Sequence, residues 1–369
     1  MKAAPRKVVI DTDFGTDADD AIAVALAMAS DEIDVQAFTV VGRQSIFRKQ
    51  MLEDFLSFLG DAHAAPPVYA GWDAPPPLPY GFSLAPAPGA SFPSAGFEKF
   101  LNPLGRGYQF NWFGDEGALD PNSPTEPATA PTSAGYSTFE AGQQLVSLLS
   151  SGDVDFIGLG PLTNLFHALT NPNLVSRDSL RIPNLTVMGI HLQPTPYPDN
   201  TNFVSVGVDY NLASDLVSAL YVLNETATTS GAIGNAKWIT ADVTLKTWFA
   251  QNHLSALEHS RHPFLIQLVK MINKWTPIQT NLFKQPQVGN VAFLHDPLTL
   301  ACSFDERWCT FQNFHLELDL TNTLGLRWIQ REPGMPGTTP LNCALAVNPS
   351  PEGQTFQDWL VERLLYRFS

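Results

Sequence analysis

Short apolar runs alternate with amphipathic stretches along most of the chain. Residues 7–11 (KVVID) predict a short buried strand. Residues 17–30 (DADDAIAVALAMAS) predict a helix with an acidic first turn, where the helix dipole favours negative charge. Residues 35–41 predict a second strand. Across residues 45–59, Ile46, Met51, Phe55 and Leu59 recur at helical spacing. Strand–helix–strand–helix implies a parallel sheet with right-handed crossovers.

The pattern breaks between about residues 75 and 131, which hold a dozen prolines with many alanines, glycines and serines. Regular structure is not expected there. The stretch is too rich in aromatics for a solvated linker, so it reads as an ordered excursion packed on the core and over a site. Ser137-Thr138-Phe139-Glu140 is a capping box that opens a helix running to about residue 150. Then come a strand at 154–159, a helix from Leu162, a strand at 185–189 and a helix at 212–223. A strand at 238–240 precedes a long helix at 258–275. Strands at 314–320, 326–330 and 342–347 lead to a final amphipathic helix at 355–368. No internal repeat is visible. The fold class is α/β, an open, mainly parallel Rossmann-like sheet flanked by helices. Residues 1–369 are read as a single domain with the Pro-rich segment 75–131 inserted in it. Such sheets bind ligands outside the carboxyl ends of their strands.

Composition narrows the function classes. The 369 residues are 44% hydrophobic and 15% charged, enough apolar material for a large core, which excludes global disorder. No apolar run reaches 18 residues, so no membrane-spanning helix is expected. The apolar run near the start is too short for a secretory signal, although a removed one would leave no trace. The chain carries 36 acidic against 21 basic residues, a net charge of −15. That argues against nucleic acid and anionic membranes as partners, and suits a small neutral substrate or a divalent cation. Cys302, Cys309 and Cys343 form no CxxC pair, so neither a zinc signature nor a disulfide framework is expected; this usage fits a reducing, cytoplasmic setting.

The densest chemistry is Asp11-Thr12-Asp13-Phe14-Gly15-Thr16-Asp17-Ala18-Asp19-Asp20, five carboxylates in ten residues at a strand-to-helix junction. A helix start explains Asp17, Asp19 and Asp20. It does not explain Asp11 and Asp13, which leave the end of a buried strand. Packing those anions there costs several kcal/mol unless a cation neutralises them. Hard oxygen donors call for calcium or magnesium, and calcium tolerates crowded, irregular geometry better. Three further segments admit either a structural or a chemical reading. Gly160-Pro161 is a strand–helix turn. Asp209-Tyr210-Asn211 precedes a helix, with Asn211 as the cap. His295-Asp296 precedes a helix opening at Pro297. His191 stands at the end of a strand that points toward the site, unlike the other histidines, which read as packing or solvated residues.

DTDFGTDADDAIA resembles the amino-terminal signature of the nucleoside hydrolases of the inosine–uridine-preferring N-ribohydrolase type, in a form with two extra residues before the DDA. Later segments match in the same order: Val40-Val41-Gly42, Val68-Tyr69-Ala70-Gly71 with Pro77-Leu78, Gly160-Pro161-Leu162-Thr163-Asn164-Leu165, Val187-Met188-Gly189, Asp209-Tyr210-Asn211 with Asp215, and His295-Asp296-Pro297-Leu298. The resemblance implies calcium-dependent hydrolysis of the N-glycosidic bond of a ribonucleoside, in purine or pyrimidine salvage. It implies that Asp13, Asp20, the Thr163 carbonyl and Asp296 hold the ion, with Asp11 and Asp17 behind them. Asp13 would also be the base that takes a proton from water, and His295 would face the leaving group. Asp19, Asp209 and Asn211 would fix the ribose hydroxyls, with Asn202 on the 5′-hydroxyl. A homodimer or homotetramer is the expected assembly. Two departures stand out. Arg43 replaces the usual asparagine after Val41-Gly42, which suggests a contact to an anionic group on a modified substrate. Asn111-Trp112-Phe113-Gly114-Asp115 replaces a loop that often carries a histidine. The alternatives are a noncatalytic calcium- or sugar-binding member of the fold, and a haloacid dehalogenase-type phosphatase, against which Gly15 speaks.

Overall fold

Strand β1 (Arg6–Thr12) is buried along its last five residues, and side chains on both of its faces are apolar. Val8 and Ile10 enter one hydrophobic cluster and Val9 the other. A strand covered on both faces needs such a continuous apolar run. In this computed structural model, the residues described are 4–15, 17–42, 45–60, 64–72, 139–170, 180–192, 209–227, 231–283, 289–319 and 327–369.

Parallel to β1 lie β2 (Ile33–Val40) on one side and β4 (Val154–Gly158) on the other. β3 (Val68–Ala70) extends the sheet beyond β2, and β5 (Ile182–Met188) and β6 (Ile233–Ile239) extend it beyond β4, all parallel. β11 (Thr339–Val347) joins β6 in parallel, and β9 (Cys309–Asp319) and β10 (Arg327–Arg331) complete that edge antiparallel. The nine strands run in the order β10-β9-β11-β6-β5-β4-β1-β2-β3. This is the open, mainly parallel α/β sheet that the residue pattern predicts.

Helices cover both faces. The cluster containing Val8 and Ile10 takes its helical side chains from α1 (Asp19–Met28), α2 (Ser45–Ser57), α8 (Gln251–Glu258), α9 (Pro263–Phe283), α10 (His295–Phe304) and α11 (Phe356–Arg367). The Val9 cluster takes them from α3 (Phe139–Leu149), α4 (Thr163–Thr170) and α6 (Leu216–Thr226). Among the described residues, no helix is long and apolar enough to cross a membrane.

Three expectations need correction. The helix expected at 212–223 is two helices, α5 (Tyr210–Ser214) and α6, because Asp215 interrupts the first and caps the second through Ser218 N. The long helix expected at 258–275 starts later and runs further, as α9. α8 ends at Glu258, and α9 starts at Pro263, where a proline has no amide to lose. Residue periodicity also misses the small antiparallel pair β7 (Trp248–Ala250) and β8 (Asn290–Phe293) and the single-turn helix α7 (Ala241–Thr244). The excursion 75–131 and the capping serine Ser137 lie outside the described residues.

Candidate active site

β1 pairs with β2 on one side and β4 on the other, so the strand order runs outward from it in both directions. An open α/β sheet forms its ligand crevice at the carboxyl ends beside such a switch point. Asp11 lies on β1 and Asp13 just past it. Asp19 and Asp20 open α1, Thr163 opens α4, and His295 and Asp296 open α10. The amino-terminal ends of these three helices meet the acidic residues, where their dipoles favour negative charge.

Asp11 is fully buried. Its Oδ1 accepts hydrogen bonds from Thr39 Oγ1 (2.6 Å) and Asn164 Nδ2 (2.8 Å), while Oδ2 has no protein partner. Burial pushes this carboxyl up to about 7, against the pull of its two donors. Asp19 ties two helix starts together: its Oδ1 accepts from Asp20 N (3.0 Å) and its Oδ2 from Asp296 N (3.2 Å). Asp20 accepts a short hydrogen bond from Thr12 Oγ1. Burial, and then neighbouring carboxylates, hold Asp17, Asp20 and Asp296 well above the ordinary carboxylate range. Carboxylate oxygens of Asp17, Asp19 and Asp20 lie within 4.8 Å of one another.

Among the described residues, Arg48 is the basic side chain that meets this group. It is 2% exposed, yet its Nη1 donates to the carbonyls of Asp13 and Phe14 (3.0 Å to the latter). It thereby fixes the backbone that carries Asp13. Its charge opposes the upward shift of Asp20 only as a minor cause, after burial, Asp13 and Asp19. A Cβ on Gly160, just past β4, would stand 2.9 Å from both Asp13 N and Oδ1, so the close approach of these two strand ends requires glycine. The resulting donor set is buried, all oxygen, over-supplied with negative charge, and includes the unpartnered Asp11 Oδ2. Those properties fit a hard divalent cation.

The sugar-binding candidates flank this group. Thr163 is buried, and its hydroxyl donates to Asp215 Oδ2 (2.7 Å), which seats α4 against the start of α6. Asp209, not Asn211, caps α5. Its carboxylate accepts from Leu212 N (3.2 Å) and Ile190 N, and burial pushes it up to about 6. Asn211 lies inside α5 and donates from Nδ2 to Leu159 O (2.7 Å) at the end of β4. Ile190 has φ +77°, a left-handed conformation that costs a β-branched residue about 1–3 kcal/mol. Its amide on Asp209 and its carbonyl, which accepts from Ala241 N (2.8 Å), hold it there.

His295 stands beside Asp296 with Nδ1 2.6 Å from Thr244 Oγ1, and burial holds it below the ordinary histidine range. Arg43, Asn202 and the 111–115 loop lie outside the described residues. The remaining expected site residues gather at the one crevice. Motif reading assigned no role to Arg48, Asn164 and Thr244. Asn164 had a usable signal, a polar residue at a buried helix position. Its Oδ1 accepts from Trp72 N (2.7 Å) and its Nδ2 reaches both Asp11 and Val40 O, so it joins the ends of β1, β2 and β3.

An acidic, strand-end crevice beneath three helix starts fits a metal-dependent α/β enzyme. The family model for the inosine-uridine preferring nucleoside hydrolases matches residues 8–351, and the chain belongs to that family. It is a hydrolase acting on N-glycosyl compounds, which sets the phosphatase reading aside. Solved structures with the same fold include a plant nucleoside hydrolase, the PpNRh1 enzyme (18% identity, 99% of each chain, TM-score 0.65). Others are a purine-preferring ribonucleoside hydrolase from Gardnerella vaginalis (19%, 98% of each chain, 0.61) and an inosine-guanosine nucleoside hydrolase (18%, 98% of each chain, 0.60). No match is found among curated proteins.

Proposed function

We propose that this chain, acting as a single nucleoside-hydrolase-like domain, carries out calcium-dependent hydrolysis of a ribonucleoside or related N-riboside. The products are the free base and ribose. The observation that carries this reading is the buried oxygen-donor group at the switch point, with one carboxylate oxygen unpartnered and its acids held above their usual range. Asp13, Asp20, the Thr163 carbonyl and Asp296 would hold the calcium, with Asp11 and Asp17 behind them. Calcium, when bound, neutralises these acids and makes an adjacent water easier to deprotonate.

Asp13 accepts the proton of the attacking water, and Arg48 and Gly160 keep its carboxylate in place. The water oxygen bonds to the anomeric carbon as the bond to the base nitrogen breaks, through an oxocarbenium-like transition state. Asp19, Asp209 and Asn211 orient the ribose hydroxyls, with Asn202 toward the 5′ position. His295, oriented by Thr244, hydrogen-bonds the departing base. Arg43 would add recognition of an anionic group beyond a plain nucleoside. Three buried free thiols suit a cytoplasmic setting.

The test is release of free base and reducing sugar from a panel of ribonucleosides, with and without chelator, alongside phosphorylated or carboxylated ribosides. Equal amounts of base and ribose, lost with chelator, support the reading. No ribose release from any member of the panel contradicts it. Arg43→Asn on the same panel should raise turnover of simple nucleosides or lose an acidic substrate. An unchanged profile with lower thermal stability would make Arg43 a charge-balancing residue instead.

A further inference from the structure

The segment leaving β5 is held with unusual care. Asn211 Nδ2 reaches Met188 O (3.4 Å), Asp209 takes the Ile190 amide, and Ile190 is kept in the left-handed region. The residue that follows this arrangement is His191, three positions past the carboxyl end of β5. Its Nε2 stands 3.8 Å from Asp242 Oδ1, and its side chain is 13% exposed, enough to exchange protons with water. Asp242 is fixed in turn, since its Oδ2 accepts from Leu192 N (2.6 Å).

Asp242 sits on α7, the same single turn whose Thr244 holds His295. One short element therefore meets both imidazoles, through Asp242 and Thr244. They differ in backing. His295 has a hydroxyl on Nδ1, whereas His191 has the Asp242 carboxylate, whose pull toward the protonated form is outweighed by burial, so the imidazole stays below the ordinary histidine range. Among the described residues, the charged group facing His191 is Asp242 from α7.

We propose that His191, backed by Asp242, is the proton donor to the departing base, with His295 as a hydrogen-bonding partner beside it. This rests on the ribohydrolase reading above. As the bond between the anomeric carbon and the base nitrogen breaks, its electron pair goes to the nitrogen. The imidazolium of His191 transfers its proton there and is left neutral. Water restores that proton, while Asp13 releases to solvent the one it took from the attacking water. Protons balance over one turnover, and no further reactant is needed.

A donor to the leaving group matters only for a leaving group that needs a proton. The test therefore compares the best ribonucleoside with p-nitrophenyl β-D-ribofuranoside, whose phenolate departs unprotonated. General acid assistance amounts to about 10²–10⁴ in rate. In His191→Gln the ratio of nucleoside to nitrophenyl turnover should fall by at least about 30-fold, and in Asp242→Asn by about 5-fold or more. The Asp242 variant also serves if His191→Gln does not fold. A ratio within about threefold of wild type in the folded variants, whether or not both rates drop together, overturns the proposal. A wild type that cleaves neither substrate overturns the ribohydrolase reading with it. A wild type that cleaves both while the ratio stays fixed overturns the role of His191 alone.

Discussion

The two ends of strand β1 handle negative charge in opposite ways. At its start, Lys7 meets Asp153 (2.7 Å) in a pair open to water, and the half-exposed Arg6 meets the buried Asp155 (3.6 Å). At its other end Asp11 and Asp13 are buried, and the basic residue there among those described, Arg48, gives its guanidinium to backbone carbonyls. The first arrangement is complete as it stands and contributes little. The second puts like charges together in a low-dielectric place and holds the carboxyls of Asp11 and Asp20 in a raised range. A fold keeps such a group only when something further neutralises it. Acidic residues alone therefore say little, and the contrast between the ends carries the information.

The sharpest way to break this contrast is at Asp13. Asp13→Asn should lower turnover of the best nucleoside by about 10³-fold or more while the chain stays folded, because the change touches the base and little of the core. Base release, with circular dichroism as the folding control, measures it. Near wild-type turnover would remove Asp13 from the chemistry.

Next in size comes the basic residue at each end. Arg48→Met leaves the Asp13 and Phe14 carbonyls without their donor and should cost about 3 kcal/mol in chemical denaturation, with lower turnover. Lys7→Met removes an open surface pair and should leave the denaturation midpoint essentially in place. Equal effects at the two ends would dissolve the comparison.

A smaller effect sharpens it through pH. The fold raises the Asp209 carboxyl from 3.8 to about 6, so it favours the protonated form. That contribution is fully present below about pH 4 and is lost as pH rises through 6. Asp209→Asn cannot ionise. The stability of wild type relative to this variant, both in chelator, should therefore fall between about pH 4 and pH 6, by at most about 3 kcal/mol. A margin that is flat or widens over this range would contradict the assigned environment of Asp209.

How far the sequence led differs between the fold and the site. The parallel core was legible because each central strand is a short apolar run bounded by turn residues, as in residues 7–11 and 154–159. The candidate site residues were legible because several sit in compact motifs at strand-to-helix junctions. Two kinds of feature were hidden. The helix break at Asp215 falls inside a stretch whose apolar spacing continues across it, and only the capping chemistry marks the break. Long-range partners left no local trace. Arg48 lies on α2, 34 and 35 residues from the carbonyls that it holds. Asp242 and Thr244 belong to a single helical turn too short for any periodicity.

The central claim is that the buried end of β1 is a cation site that the open end is not. A calorimetric titration of chelator-treated protein with calcium tests it directly, run on wild type, Asp20→Asn and Asp153→Asn. The account predicts one ion per chain in wild type, unchanged binding in Asp153→Asn, and binding weakened at least tenfold, about 1.4 kcal/mol, in Asp20→Asn. No calcium binding by the wild type, or equal binding by wild type and Asp20→Asn, would contradict it.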